Sequence, residues 1–405
     1  MLKRAALLIV STILAVGIGE AVLRTVPIAW FYSAGYMYDM SEEFHHSYRP
    51  GDDFVRRPQP PDDFSPVENR VNSFAMRGPE PTAGPVRALL LGDSFIQATA
   101  VQYESTAGQL LERRLREHDP HAVVLSHGIG SWSPLLEWNW YLKVGHQFHA
   151  RDVFLFVFHN DFDPQYEGLS DVYYLKQAVF GPDGRPERFN VASGSPIWRT
   201  LRRLRLAALW RLLKLRLENA QSPSSAESGG ARLLDAQTIT QWLDAPQNVF
   251  EERLAQLGLP STWEGFWRLQ RPLRLWPTQL RQSVDLSESV ITRFAEDVAR
   301  DHGQLVLVYV PMGMQVGPRE CSASRDLYGV GPNAVIEPRS GIQEWLEAMA
   351  LKHRIEWLDP TDQLRAASAA AERPMYLAYD CHWSPTGHER IATILADWLA
   401  ANRRS

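Results

Sequence analysis

The chain of 405 residues lacks the patterns that mark several large classes of function. No Gly-x-Gly-x-x-Gly turn follows its first strand-like apolar run, so the sequence indicates no dinucleotide cofactor. A net charge of −5 gives no whole-chain argument for binding nucleic acid. The histidine pairs 45–46 and 146/149 have no further ligands at metal-binding spacing. We therefore expect no cofactor, no metal and no nucleic-acid partner.

Cysteine is scarce, with only Cys321 and Cys381 in the chain. A disulfide between them would tie the loop after a late apolar run to the loop that carries residue 381, and it would fit an oxidising compartment. The sequence cannot supply the close approach of the two Cα atoms that a disulfide requires. Two free thiols are therefore the favoured interpretation, and a disulfide is the alternative.

Long apolar runs are missing except at the N-terminus. Residues 5–19 are uncharged and mostly apolar, and the run resumes after Glu20 until Arg24. This length is adequate to span a bilayer, and Lys3 and Arg4 before it predict a cytoplasmic N-terminus. The alternative is a cleaved secretory signal, because residues 15–17 are small. In both cases we expect the remaining chain outside the cytoplasm, in the periplasm or on the outer face of a membrane.

Short apolar runs recur at intervals in the rest of the chain, at residues 86–91, 122–125, 153–158, 305–310 and 355–358. Their continuous character is typical of parallel strands that are buried on both faces. Residues 109–118 have one apolar side and predict a crossover helix, and Ser384-Pro385 is an N-cap followed by proline at the start of a last helix. The pattern predicts an α/β fold, a three-layer doubly wound parallel sheet.

This pattern divides the chain into an anchor over 1–24, an extended and irregular stalk over 25–85, and a domain over 86–405 with a mainly helical insertion at about 165–286. Within the insertion, the basic amphipathic segment 198–217 is either a solvated face or a contact with anionic lipid headgroups. Its tryptophans are expected in the core rather than on a sugar-stacking platform; they are Trp242, Trp263, Trp267 and Trp276.

Two motifs from opposite halves of the chain carry groups for acyl-transfer chemistry. Ser94 directly follows the first apolar run, and Asp380 and His382 directly precede the last helix. A serine hydroxyl is a weak nucleophile and needs a base, which His382 can provide, while Asp380 orients the imidazole. We therefore predict that Ser94, His382 and Asp380 meet at the carboxyl edge of the sheet.

Such chemistry also needs hydrogen-bond donors for the developing oxyanion. The glycine turn over 127–132 follows the second apolar run and offers a backbone N–H. Asn160 follows the third run and offers its side-chain amide, and Ser94 offers its own N–H. All of these groups come directly after strands, so we expect them at one edge of the sheet.

At these positions the sequence resembles the SGNH (GDSL-type) hydrolases. The family's sequence blocks occur here in order, as Gly92-Asp93-Ser94-Phe95, Gly128-Ile129-Gly130-Ser131, Asn160-Asp161 and Asp380-Cys381-His382. The anchor with Glu20 and Arg24, and the Asn…Arg-Gly segment 72–78, resemble the bacterial membrane-anchored members. The last block is Asp-x-His, where many members have Asp-x-x-His; the Asp-x-His-Trp form resembles relatives that handle polysaccharide acetyl groups.

The resemblance implies Ser94 as nucleophile, His382 as base and Asp380 as its partner. It also implies Ser94, Gly130 and Asn160 as oxyanion donors, with Ser131 as the alternative to Gly130. It leads us to expect a membrane-anchored serine esterase that hydrolyses an O-acyl ester on a small molecule or on a cell-envelope glycan. An O-acyltransferase with the same triad is the first alternative, since no residue distinguishes water from a sugar as acceptor. A non-catalytic glycan-binding scaffold is the second.

Overall fold

The computed structural model describes residues 11, 14–23, 38–58, 61–82, 84–162, 171–191, 278–325, 339 and 341–402. Within these residues no helix is both long enough and apolar enough to cross a membrane. The anchor predicted over 1–24 lies only partly among them, as a helical stretch over 14–23. The basic segment 198–217 and the four tryptophans of the insertion lie outside the described residues.

The described strands are β1 (Tyr38–Ser41), β2 (His45–Tyr48), β3 (Asp53–Arg56), β4 (Val67–Arg70), β5 (Val86–Gly92), β6 (Val123–Gly128), β7 (Asp152–Val157), β8 (Ala178–Phe180), β9 (Pro186–Phe189), β10 (Gln304–Tyr309) and β11 (Glu356–Leu358). The described helices are α1 (Ser94–Gln97), α2 (Ala107–Arg116), α3 (Pro134–Lys143), α4 (Asp171–Leu175), α5 (Thr278–Arg300), α6 (Gly313–Val316), α7 (Gly341–His353), α8 (Thr361–Ala370) and α9 (Pro385–Ala401).

The centre of the fold is a five-stranded parallel sheet in the order β11-β10-β7-β5-β6. The chain runs from β5 outward to β6 and then back past β5 to β7, so the strand order reverses between β5 and β7. Helix α2 packs against α9, and α3 packs against α5. This pairing is expected where helices cover both faces of a parallel sheet. The predicted parallel sheet with flanking helices is confirmed.

The sheet is buried on both sides, which is why its strands are continuously apolar. The side chains of Leu89, Leu90, Phe154, Leu155 and Val306 have no exposed surface. Full burial of a side chain of this kind stabilises the fold by roughly 1.5–3 kcal/mol. The carboxyl ends of the strands thereby become a rigid edge on which loops can hold side chains in fixed positions.

The N-terminal extension was predicted as an irregular, extended stalk that packs on the domain, and its described part contains regular structure. In its described part β1 pairs with β2, and β3 pairs with β4, as antiparallel hairpins. The strands are four residues long, and β2 reads His-His-Ser-Tyr although all four side chains are buried. The sequence of β2 shows no alternation of apolar and polar residues. Its polar side chains are buried against the sheet domain and not in a core of their own.

Gly128 sets how closely α1 can approach the end of β6. A Cβ atom at this position would lie 2.3 Å from the backbone nitrogen of Gln97 and 2.7 Å from the backbone oxygen of Asp93. Both neighbours are backbone atoms of the α1 turn, which cannot move away as a flexible side chain would. The glycine therefore fixes the position of the turn that carries Ser94.

We predict that Gly128→Ala lowers the free energy of unfolding by about 1–3 kcal/mol, the usual cost of forcing an extra methyl group into a packed site. Equilibrium denaturation measures this. Gly181→Ala is the control, because its added Cβ meets the carboxylate end of the Glu187 side chain, which can rotate away. Equal stability of the Gly128 variant and the native protein would contradict the close approach.

Candidate active site

Ser94 is positioned by the sharp turn between β5 and α1. Asp93 is the N-cap of α1, and its Oδ1 accepts a hydrogen bond from the backbone N–H of Phe95 at 2.9 Å. Ser94 is thus the first residue of α1, where an N–H has no acceptor within the helix. The hydroxyl and N–H of Ser94 both lie at the carboxyl edge of the sheet, beside the point where the strand order reverses.

The structure brings the three predicted residues into one hydrogen-bonded chain. Nε2 of His382 lies 2.7 Å from Oγ of Ser94. Nδ1 of the same imidazole lies 3.0 Å from Oδ1 of Asp380. These contacts match the distances that a serine nucleophile, its base and an orienting carboxylate require.

Asp380 is held by two residues of the N-terminal extension. Nη2 of Arg56 lies 3.1 Å from Oδ2 of Asp380. The carboxylate of Asp62, which is buried, accepts the backbone N–H groups of Tyr379 and Asp380, each at 2.8 Å. The roles of Arg56 and Asp62 were not predicted from the sequence, because neither residue lies in a motif and the extension was expected to be irregular.

The charges around His382 favour its protonated form. Burial, the largest single influence, lowers the pKa of His382, but the charge and hydrogen bonds of Asp380 together with the charge of Asp93 outweigh it and raise this pKa above its ordinary value. Burial alone would raise the pKa of Asp380, yet His382 and Arg56 together hold it well below the usual range. Asp380 is therefore a carboxylate at neutral pH, and it would stabilise the imidazolium of His382 if His382 took the proton of Ser94.

Cys321 and Cys381 form a disulfide, with their Cα atoms 4.9 Å apart, so the favoured prediction of two free thiols is wrong. The sequence could not reveal this because the fold alone brings together loops that are 60 residues apart. Cys381 lies between the two triad residues in a left-handed conformation with φ of 61°. The disulfide therefore fixes the loop that presents both Asp380 and His382.

Gly130 and Asn160, the predicted oxyanion donors besides Ser94, and the alternative Ser131 differ in how they lie relative to the cavity at Ser94. Gly130 faces the cavity at Ser94, but its N–H already donates to the hydroxyl of Tyr38 at 3.0 Å. Ser131 does not line that cavity, and its carbonyl accepts a hydrogen bond from Tyr174 at 2.5 Å. Asn160 lies in a short 3₁₀ helix directly after β7, as predicted, but is not among the residues that line the cavity.

The cavity at Ser94 has a volume of about 180 Å³. Its walls come from the α1 turn and the segment after it, from the loop that carries Asp380 and His382, and from the N-terminal extension. The lining residues are Tyr38, Arg56, Ser94, Gln97, Ala98, Thr99, Ala100, Val101, Gly130, Asp380, His382 and Trp383. This volume is below the usual range for drug-sized ligands, so the cavity suits a small group.

Other titratable groups near this edge are kept neutral by burial. Both carboxyl oxygens of Glu137 are buried and have no hydrogen-bond partner among the residues that the structure describes. Burial, with Asp93 and Asp171 nearby, raises the pKa of Glu137 far above its ordinary value. Burial lowers the pKa of His127 to about 3. Among the described residues, no group of three or more His, Cys, Asp or Glu side chains could hold a metal ion.

Comparison with known proteins gives no family model that matches and no match among curated proteins. Several solved structures resemble the chain weakly. LAE5, an alpha/beta hydrolase from a Lake Arreo metagenome, is 11% identical with a TM-score of 0.32, covering 79% of this chain and 96% of its own. Axe2, an acetylxylan esterase from Geobacillus stearothermophilus, is 11% identical with a TM-score of 0.35, covering 78% and 94%.

A lipolytic protein of the G-D-S-L family from Veillonella parvula is 11% identical with a TM-score of 0.30, covering 78% of this chain and 98% of its own. The solved structures thus include the family that the sequence blocks resemble. At these sequence identities and TM-scores, the chemistry of the site is argued from the geometry of the chain's own residues.

We predict that Asp380→Asn lowers kcat by up to about 10⁴-fold, since the loss of the orienting carboxylate leaves the imidazole in the wrong tautomer. The remaining activity should also depend differently on pH. In the native protein His382 must be neutral to act as base, so the acid limb of kcat/KM should lie above the ordinary histidine pKa of 6.5.

The variant lacks the negative charge that favours the imidazolium, so its acid limb should move to lower pH. The measurement is the pH profile of ester hydrolysis for both proteins, with Asp362→Asn as an exposed carboxylate control. An unchanged acid limb in Asp380→Asn would show that Asp380 does not set the pKa of the catalytic base.

Proposed function

We propose that the protein is a serine esterase of the SGNH (GDSL) type that hydrolyses an O-acyl ester with Ser94 as nucleophile. The observation that carries the proposal is the hydrogen-bonded chain from Ser94 through His382 to Asp380, with contacts of 2.7 Å and 3.0 Å. It lies in a cavity at the carboxyl edge of a parallel sheet, where α/β proteins place their ligands.

In the proposed reaction, Oγ of Ser94 attacks the acyl carbonyl carbon while Nε2 of His382 takes the hydroxyl proton. The C–O bond to the leaving alcohol breaks, and His382 gives the proton to that alcohol. Water then attacks the acyl-enzyme, with His382 again as base, and releases the carboxylic acid and Ser94. Asp380 remains a carboxylate throughout and stabilises the imidazolium in each step.

The tetrahedral intermediate carries a negative charge on the former carbonyl oxygen. The N–H of Ser94 lies at the first turn of α1, where backbone N–H groups and the helix dipole favour an anion. Asn160 is the proposed side-chain donor. The backbone N–H of Gly130, the third predicted donor, already donates a hydrogen bond to the hydroxyl of Tyr38.

The proposed substrate is an acylated carbohydrate of the cell envelope. The cavity of about 180 Å³ favours a short acyl group such as acetyl over a long chain. A glycan as the alcohol part of the ester is supported by the resemblance of Asp380-Cys381-His382-Trp383 to the motif of polysaccharide acetyl-handling proteins. Water is the proposed acceptor of the acyl group, and no observation favours transfer to a second sugar.

We further propose that the catalytic domain is anchored to a membrane and faces the extracytoplasmic side. The apolar segment 5–19 behind Lys3 and Arg4 supports this orientation. The disulfide between Cys321 and Cys381 supports it independently, because structural disulfides persist in oxidising compartments and are rare in the cytosol.

The proposed activity predicts that the full-length protein in detergent hydrolyses p-nitrophenyl acetate and that Ser94→Ala reduces the rate to background. Removal of the nucleophile from such a triad costs on the order of 10⁶ in kcat. Ser73→Ala, which removes an exposed hydroxyl that is bonded to Glu80, is the matched control and should keep native activity. Native protein that is no faster than Ser94→Ala would refute the esterase proposal.

The proposed location predicts that Cys321 and Cys381 resist alkylation in intact cells until a reductant is added. The experiment is a gel-shift assay with a thiol reagent before and after reduction, and a Cys321→Ser/Cys381→Ser double variant marks the unlabelled position. We expect the unreduced protein in the membrane fraction to stay unmodified. Labelling of both thiols without reductant would place this domain in a reducing compartment.

A further inference from the structure

The backbone N–H of Gly130 is not free to bind an oxyanion directly. It donates a hydrogen bond to Oη of Tyr38 at 3.0 Å, and Tyr38 belongs to strand β1 of the N-terminal extension. A ligand oxygen can take this N–H only if the Tyr38 hydroxyl leaves. The structure therefore places a side-chain hydroxyl where the resemblance to SGNH hydrolases implies a backbone donor.

The Tyr38 hydroxyl lies close to the nucleophile. A Cβ atom on Gly130 would be 2.7 Å from Oη of Tyr38 and 3.8 Å from Cβ of Ser94, so both side chains border the same small space. Both also line the cavity of about 180 Å³. A carbonyl carbon attacked by Ser94 would thus hold its oxygen within reach of the tyrosine hydroxyl.

The hydrogen bonds to Tyr38 leave its own proton available. The Gly130 N–H can only donate, and the side-chain nitrogen Nε2 of Gln97 also donates to Oη of Tyr38. The same amide group donates to Oη of Tyr48, which is buried behind it. Since the phenolic oxygen accepts from two donors, its O–H is directed away from them.

The phenol also keeps its proton at neutral pH. Burial, as the largest influence, raises the pKa of Tyr38 to about 12, although the hydrogen bonds from Gln97 and Gly130 oppose this shift. The ring is held in place by edge contacts with His46 and by tilted packing against Tyr48, at centroid distances of 5.4 Å and 5.5 Å. Tyr38 is therefore a fixed, protonated hydrogen-bond donor at the cavity wall.

We propose that Tyr38 is a catalytic residue, whose hydroxyl, held by Gly130 and Gln97, donates a hydrogen bond to the oxyanion in place of the Gly130 N–H. This inference rests on the proposed esterase function. Tyr38 transfers no proton: the Ser94 proton goes to His382, and the phenolic O–H bond stays intact while its hydrogen bond strengthens as charge develops. The N-terminal extension then supplies part of the catalytic machinery.

The test is Tyr38→Phe in the full-length protein. We expect kcat for p-nitrophenyl acetate to fall about 10²–10³-fold, the usual effect of losing one oxyanion donor, with little change in KM. Tyr48→Phe is the matched control, because it loses a hydroxyl that is bonded to the same Gln97 but does not line the cavity. We expect Tyr48→Phe to keep the native kcat.

A second readout separates oxyanion binding from general damage to the site. A trifluoromethyl ketone forms a tetrahedral adduct with the serine and carries an oxyanion, so its affinity should fall in Tyr38→Phe by a factor similar to that for kcat. Unchanged kcat and unchanged ketone affinity would overturn the proposal. Higher kcat in Tyr38→Phe would also overturn it, because the hydroxyl would then only block Gly130.

Two further variants apply if Tyr38→Phe does not fold. Tyr38→Gln keeps a side-chain donor, whereas Tyr38→Met has similar length and none, so the glutamine variant should be the more active. Equal activities would contradict the donor role. Ser94→Ala separates the two proposals: if it is inactive while Tyr38→Phe is fully active, the esterase assignment stands and the role of Tyr38 fails.

Discussion

The hydrogen bond between His382 and Ser94 is the contact on which the rest of the site depends. It joins residues that are 288 positions apart, and it exists only because β5 and the loop before α9 end at one edge of the sheet. A buried imidazole that is shared between a hydroxyl and a carboxylate has a raised pKa and a fixed orientation. Those two properties turn an ordinary serine into a candidate nucleophile.

The N-terminal extension stabilises the charges that this arrangement creates. Arg56 compensates the carboxylate of Asp380, and Asp62 holds the backbone of the same loop through two hydrogen bonds. The disulfide to Cys321 also fixes that loop. The orientation of His382 therefore depends on two other segments of the chain, the N-terminal extension and the segment that carries Cys321, and displacement of either would loosen the hydrogen-bonded chain to Ser94.

Burial favours the neutral form of every titratable group in this region, and only charged partners reverse its effect on the pKa. Glu137 and His127 have no charged partner of opposite sign in the described part of the chain, so desolvation keeps each in its neutral form. His382 is also buried, yet the adjacent Asp380 reverses the effect of desolvation. The candidate catalytic histidine is thus distinguished from its neighbours by its partner and not by its exposure.

The sequence by itself determined the sheet and predicted a candidate nucleophile, base and acid, because continuous apolar runs and short motifs are local properties of the chain. It predicted Ser94, Asp380 and His382 from their places after a strand and before a helix. The tertiary structure alone decided the partners of these residues. Arg56, Asp62 and Tyr38 lie in no motif, the disulfide depends on the distance between two loops, and the engagement of Gly130 depends on where a hairpin packs. Contacts between distant segments follow from packing in three dimensions, which local sequence patterns do not encode.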